Sequence, residues 1–347
     1  MTNDARRGDG LIDGLEVLPV RGIGHVTAGD DLAEMITNAA PWLRDGDVLV
    51  VTSKIVSKAE GRLVDVPADG PDREAARREV LAAETARVVA RRGPTAIVQT
   101  HHGFVMAAAG IDASNVDKTH LVLLPRDPDA SARALRAALA ERGLRVGVII
   151  SDTMGRAWRH GLTDVALGAA GIAPLRDHRG EFDPYGNELQ LTEMAVIDEL
   201  AAAGELVKGK TDQVPVAVVR GYPDAGTADT DGAAALLRDP ASDMFSLGTA
   251  EARAAGLRDA ATLPDGTSAE VDPAAVERAV ALAGALVEVT GTGVRLTPPP
   301  DAGPADLMRL GADAHRLRAA LAAEGLPSTV SFTGDRIDIR LGQNHRP

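Results

Sequence analysis

Two unbroken apolar runs constrain what this chain can fold into. Val48-Leu49-Val50-Val51 and Val146-Gly147-Val148-Ile149-Ile150 contain no polar side chain, and each breaks off abruptly, into Thr52-Ser53-Lys54 and Ser151-Asp152-Thr153. A strand with one wet face alternates, whereas a continuous β-branched run is covered on both faces. Both runs therefore read as buried strands that deliver hydroxyls and charge at their C-terminal ends. Leu15 to Val20 reads as another strand, feeding the turn Arg21-Gly22-Ile23-Gly24, while helical and strand patterns mix in Val214 to Val219. Asp72 can cap a helix over Arg73 to Arg92, with Val80, Leu81 and Val88 on one face and Gly93-Pro94 as its stop. Ser131 to Arg142 reads as a second helix that ends at Gly143, and Glu193 to Ala203 mixes both periodicities. The class is α+β.

From about Ala250 lysine disappears, and alanine and leucine rise. Val287 to Leu296 bends at Gly291-Thr292-Gly293 and Ser328 to Leu341 at Thr333-Gly334-Asp335, so both read as hairpins beside alanine-rich helices, separated by Pro298-Pro299-Pro300. The expected division is a first domain over 1–249 and a small C-terminal α/β domain over 250–347, without a chemical constellation of its own.

Absences narrow the chemistry. The lack of cysteine excludes a disulfide scaffold, a thiol nucleophile, an iron–sulfur cluster and a thiolate zinc site. A net charge of −13 argues against nucleic acid as a partner held by long-range charge. No window approaches the roughly 20 apolar residues of a membrane span, and Met1 to Asp9 is polar, so the expected compartment is cytoplasmic. There is no Gly-x-x-x-x-Gly-Lys-Ser/Thr loop, no third glycine after Gly22-x-Gly24, no His-Glu-x-x-His and no Gly-x-Ser-x-Gly. The adjacent His101 and His102 read as loop residues.

What remains points to oxygen ligands and phosphate. Asp152 and Thr153 offer a carboxylate and a hydroxyl together, with Arg156, Arg159 and His160 close behind; hard divalent cations want such oxygens. The competing reading is that Asp152 caps a following helix. Gly110-Ile111-Asp112-Ala113-Ser114-Asn115 is a second carboxylate loop, or an Asx turn. Only five lysines stand against 32 arginines, and four fall in two clusters, Lys54 with Lys58 and Lys208 with Lys210. Two aspartates on separate loops can share cations that bridge a polyphosphate, with Lys54, Lys58 or Lys208 neutralising its oxygens. Asp183 to Leu189 and Glu193 add further polar groups.

Taken in order, Pro41 to Asp47, Thr52 to Arg62, Gly110 to Asn115, Ser151 to Arg159 and Lys208-Gly209-Lys210 resemble the F420-0:γ-glutamyl ligase family from about Leu15 to Ala250. The resemblance implies a mixed-sheet α+β ligase domain in an intertwined homodimer. It implies a GTP-dependent ligase that adds L-glutamate to the deazaflavin precursor F420-0, then further γ-linked glutamates, through an acyl phosphate, releasing GDP and phosphate in coenzyme F420 biosynthesis. It implies Mg²⁺ or Mn²⁺, with K⁺. Matched by position, Asp112, Asp152 and Thr153 are the metal ligands, and Ile23, Gly24, His25, Val26, Ser53, Lys58 and Asn115 the GTP contacts. No base is assigned; Glu193, Glu188 and His160 are candidates. Longer actinobacterial relatives carry a flavin-binding, nitroreductase-like domain, for which Glu251 to Pro347 is too short. Two other readings use the same residues: a non-catalytic deazaflavin- or nucleotide-binding protein, and a metal-dependent phosphohydrolase.

Overall fold

The computed structural model describes residues 14–114, 116–223, 225–226, 232–284, 287–333 and 336–342. Two compact units divide the chain, 1–246 and 247–347. The first runs β1 (Glu16–Val20), α1 (Leu32–Ala39), β2 (Val48–Thr52), α2 (Ser53–Ala59), β3 (Leu63–Asp65), α3 (Gly70–Ala83), β4 (Thr85–Arg92), β5 (Thr95–Thr100), β6 (Val105–Ala107) and β7 (His120–Val122). It continues through α4 (Pro128–Glu141), β8 (Gly147–Gly155), β9 (Leu162–Ala170), β10 (Arg176–Asp177), β11 (Glu193–Met194), α5 (Val196–Lys208) and β12 (Val216–Arg220).

Its central sheet has the order β1-β12-β2-β8-β9. β2 and β8 are parallel and the other pairings antiparallel, so the sheet is mixed. The two apolar runs are these parallel neighbours, in register from Val48 opposite Gly147 to Thr52 opposite Ser151. Their composition follows from burial on both sides. Alternate residues Leu49, Val51, Val148 and Ile150 pack with Ile36 of α1 and Ala132, Leu135 and Leu139 of α4. Val48, Val50 and Ile149 pack instead with Val196, Ile197, Leu200 and Ala201 of α5. Burying each of these larger aliphatic side chains contributes about 1.5–3 kcal/mol. α4 approaches the sheet closely: a Cβ on Gly168 of β9 would lie 2.1 Å from the Pro128 carbonyl oxygen.

One edge of this sheet collects five segments. The parallel strands end there, the antiparallel β9 and β12 begin there, and β1 ends there with Val20 opposite Val216. The loop after β1, the start of α2, the β8–β9 hairpin and the segment after α5 therefore meet at one place.

Two readings need correction. The helix expected over Arg73 to Arg92 ends at Ala83, and Thr85–Arg92 is β4, paired with β5 in a three-stranded sheet with β6. Thr85, Val88 and Val89 are β-branched, and cross-strand pairing with Thr95–Thr100 overrides a helical spacing of apolar residues. The strand expected to stop at Ile150 continues to Gly155, so Asp152 lies in a strand and caps no helix.

The second unit contains α6 (Thr249–Ala261), α7 (Pro273–Ala283), β13 (Glu288–Thr290), β14 (Gly293–Leu296), α8 (Pro304–Ala323), β15 (Thr329–Thr333) and β16 (Arg336–Arg340). Its sheet, β13-β14-β16-β15, is antiparallel throughout. Val294, Leu296, Ile337 and Ile339 pack with Val276 and Ala279 of α7 and Leu317 and Leu321 of α8. Gly334 and Asp335, at the second hairpin's bend, lie outside the described residues. Among those residues no helix is long and apolar enough to cross a membrane.

Because backbone blocks the space beside Gly168, Gly168→Ala should push α4 off the sheet at a cost of about 2 kcal/mol. Thermal unfolding of the full chain should show a midpoint lower by roughly 4–8 °C.

Candidate active site

At the shared edge, β2 hands over directly to α2, and Lys54 reaches the carboxylate loop. Its Nζ lies 2.6 Å from Asp112 Oδ2 and donates to Ser114 Oγ at 2.8 Å. The Ser114 N–H returns to Asp112 Oδ1 at 2.6 Å. An unusual turn delivers Asp112: Ala108, Ala109 and Gly110 are all left-handed, with φ of 50°, 54° and 69°. For alanine that conformation costs about 1–2 kcal/mol per residue. The backbone pairing of Asp112 with Val122, at 2.9 and 2.8 Å, holds the loop in place.

Asp152 answers from β8. Burial, then repulsion from Asp164 and Asp112, push its carboxyl up to about 7, against the Thr153 N–H and the Lys54 charge. Asp112 goes the other way: burial raises it, but Lys54 and the Ser114 hydrogen bonds outweigh burial and hold it below the usual carboxylate range. Burial and the neighbouring Lys54 ammonium push Lys58 down, against attraction from Asp112. Asp112, Asp152, Lys54 and Lys58 thus share one field.

Successive strand residues project to opposite faces, and Thr153 accordingly meets other partners. Its hydroxyl donates to Asp164 Oδ1 at 2.7 Å and accepts from Lys210 Nζ at 2.5 Å. A register shift after Ile150 sets Thr153 opposite Asp164 in the β8–β9 hairpin. Asp164 Oδ2 accepts from Ser151 Oγ at 2.9 Å and from Lys208 Nζ at 2.8 Å. Gly209, with φ of 64°, ends α5 and turns the chain between the two lysines.

The Lys208 reading is corrected here. Expected to neutralise phosphate oxygens, it is 1% exposed and committed to Asp164 and Ser151, beneath the site rather than open to a ligand. Of the other expected residues, Ser53 and Lys58 are buried on α2. Ile23 and Val26 pack into the core beneath α1 and α2, leaving Gly24 and His25 exposed between them at the edge. The Gly29 N–H ties that loop to the Ala59 carbonyl at the end of α2, at 2.8 Å. Asn115 lies outside the described residues. The base candidates are not drawn in: Glu188 and His160 are exposed, and Glu193 is exposed and 3.4 Å from Arg179. Asp183 serves a local turn, accepting from the Tyr185 and Asn187 N–H groups.

Asp164 and Glu205 escaped the sequence reading. A lone acid two residues into an apolar strand was a signal, but only the hairpin register shows that it faces Thr153.

Residues 22–221 match the family model described as F420-0:Gamma-glutamyl ligase. The chain belongs to this family. It is 41% identical over 249 residues to the coenzyme F420:L-glutamate ligase of Methanothermobacter thermautotrophicus, covering 67% of this chain and 99% of that protein. The enzyme of the same name from Methanopyrus kandleri is 41% identical over 67% of this chain and 97% of its own length, and that of Haloarcula marismortui 42% over 66% and 95%. These matches make the chain an enzyme of the ligase class, and its mixed sheet agrees with the α+β expectation.

The donor set suits a hard cation. Among the described residues no group of three or more His, Asp or Glu side chains gathers at metal-holding spacing. One or two carboxylates completed by water and a ligand's own phosphate oxygens are, however, the usual provision for Mg²⁺. A carboxyl pushed up to about 7 by burial, with neighbouring acids adding to it, is a seat short of positive charge.

Folded Asp152 keeps its proton to about pH 7, whereas an unfolded carboxyl loses it near 3.8, so the cation-free ligase is destabilised progressively as pH rises through that window. Asp152→Asn should therefore stabilise the cation-free protein by about 2 kcal/mol at pH 8 and by almost nothing at pH 4, read as the difference in melting temperature.

Proposed function

We propose that this ligase is a coenzyme F420:L-glutamate ligase, joining L-glutamate to F420-0 and extending it with further γ-linked glutamates at the expense of GTP. The observation that carries the reading is the meeting of Asp112, Asp152, Lys54 and Lys58 in one field at the sheet edge where the loop after β1 emerges.

Amide formation is blocked by the carboxylate, a poor electrophile whose oxygen is a poor leaving group. Transfer of the GTP γ-phosphoryl group to that oxygen forms an acyl phosphate and releases GDP. The glutamate amine then attacks the carbonyl carbon, the C–N bond forms, the C–O bond to phosphate breaks, and the amine gives up its proton. Asp112, Asp152 and the Thr153 hydroxyl would hold Mg²⁺ or Mn²⁺, which neutralises the polyphosphate; K⁺ belongs to the same reading without assigned ligands. Lys54 and Lys58 supply compact positive charge for phosphate oxygens. The open backbone of Gly24 and His25, pinned on either side by Ile23 and Val26, and the buried Ser53 complete the nucleotide contacts, with Asn115. Repulsion between Asp152 and its acidic neighbours is relieved when positive charge arrives, which favours loading of the site.

The homodimer belongs to the proposal too. Of eight aromatic residues in the chain, Trp158, Phe182, Tyr185 and Phe245 of the first unit are 78%, 67%, 91% and 68% exposed, with Leu191 at 92%. Aromatic side chains left outside a core built of valine, isoleucine, leucine and alanine fit a surface that a second copy covers.

The test is mass spectrometry of F420-0 incubated with the protein, GTP, Mn²⁺ and glutamate. Glutamyl additions, with GDP formed only when both glutamate and F420-0 are present, are expected. GTP loss without glutamate would mark a phosphohydrolase, and binding without consumption a carrier. Asp112→Ala and Asp152→Ala should each reduce turnover at least about 10³-fold with an unchanged circular dichroism spectrum; retained activity removes the cation assignment.

A further inference from the structure

Asp164 and Lys208 form an ion pair almost sealed from water, at 3% and 1% exposure. Nothing in the proposed reaction uses either. Such a pair is no stability device in itself, since desolvating two charges offsets most of what their attraction returns. Its place is informative. Lys208 comes from the last turn of α5, Asp164 from β9, and both are further bonded to β8, through Ser151 and Thr153. Glu205 Oε2 lies 3.5 Å from Lys208, and Thr52 Oγ1, where β2 ends, accepts from Lys208 at 3.5 Å.

The accounting at Asp164 decides what it can do. Oδ2 accepts from two donors, Ser151 Oγ and Lys208 Nζ, and Oδ1 takes the Thr153 hydroxyl proton. Both of its oxygens are thereby held by residues of β8 and α5. What it does is fix the rotor of Thr153: with the proton committed to Asp164, the hydroxyl's lone pairs are turned away from β9. One of them meets Lys210 Nζ, which Glu205 Oε1 holds from the other side at 2.6 Å. Thr153 therefore already presents a lone pair to a positive charge.

We propose that Asp164, locked by Lys208 and Ser151, is a positioning residue that orients the Thr153 hydroxyl as a cation ligand. The inference rests on the reading of Thr153 as such a ligand. Groups that orient a metal ligand from behind typically change metal affinity by about 10- to 100-fold when removed.

The test is Mn²⁺ binding by the full chain, with Mn²⁺ alone as probe, followed by the electron paramagnetic resonance of the free ion. Three variants are compared with the natural protein. Thr153→Val tests the reading beneath, and its affinity should fall at least about tenfold. Asp164→Asn can no longer serve both Thr153 and Lys208 as acceptor, and its affinity should fall about 10- to 100-fold with secondary structure unchanged. Asp164→Val combined with Lys208→Met replaces the pair by apolar groups of nearer size and leaves no buried charge unpaired. It keeps the test open where Asp164→Asn does not fold, and the same loss of affinity is expected from it.

If the double variant melts like the natural protein and also binds Mn²⁺ within about twofold, the pair is only a structural brace and the proposal is overturned. The same holds for a folded Asp164→Asn that binds normally while Thr153→Val does not. If the natural protein fails to bind Mn²⁺, or Thr153→Val binds as tightly as it does, the reading of Thr153 falls first and carries this inference down with it.

Discussion

β2 and β8 lie side by side and point the same way, and the remaining architecture answers to that pairing. Parallel neighbours cannot be joined by a tight turn, so about a hundred residues intervene, including α2, the small β4–β6 sheet, the Asp112 loop and α4. Both strands are covered on both faces, which demands α1 and α4 on one side and α5 on the other. Their C-terminal ends coincide, Thr52 opposite Ser151, so whatever each strand delivers is delivered to the same place. Ligand crevices in open sheets that contain parallel strands form outside those ends.

At that place the fold tolerates charge that it would elsewhere avoid. Asp152 sits among Asp112 and Asp164 with its carboxyl pushed up to about 7, and Ala108 and Ala109 hold a left-handed turn that alanine disfavours. Neither feature stabilises the protein. Concentrated strain and like charge are features that cluster at functional sites rather than in structural cores. Lys54 against Asp112 and Lys208 against Asp164 keep the field from becoming prohibitive, one at the surface and one beneath it.

Much of this was legible in the linear text. The buried strands at Val48–Val51 and Val146–Ile150, a helix over Ser131 to Arg142 and the two hairpins of the second unit follow from runs, periodicity and glycine, although β8 runs on to Gly155 and α4 begins at Pro128. So did the polar residues at the strand ends, because a run that stops at Ser-Asp-Thr announces what it carries. Thr85–Arg92 was misread, because Val80, Leu81 and Val88 keep a helical spacing that only the partner strand Thr95–Thr100 overrules. Lys208 was misjudged for a related reason. A lysine beside Lys210 reads as a phosphate ligand until one sees that α5 ends under the sheet and that Asp164 waits there.

The sequence by itself determined which segments are buried and which oxygen and ammonium groups sit at their ends, because burial and local propensity act over a few neighbouring residues. Only the tertiary structure decided which of those groups share a field. Asp112 and Asp152 stand 40 positions apart, and Asp164 and Lys208 stand 44. Their meeting depends on strand register, on the shift after Ile150 and on where α5 stops, and a Coulomb interaction depends on distance in space rather than along the chain.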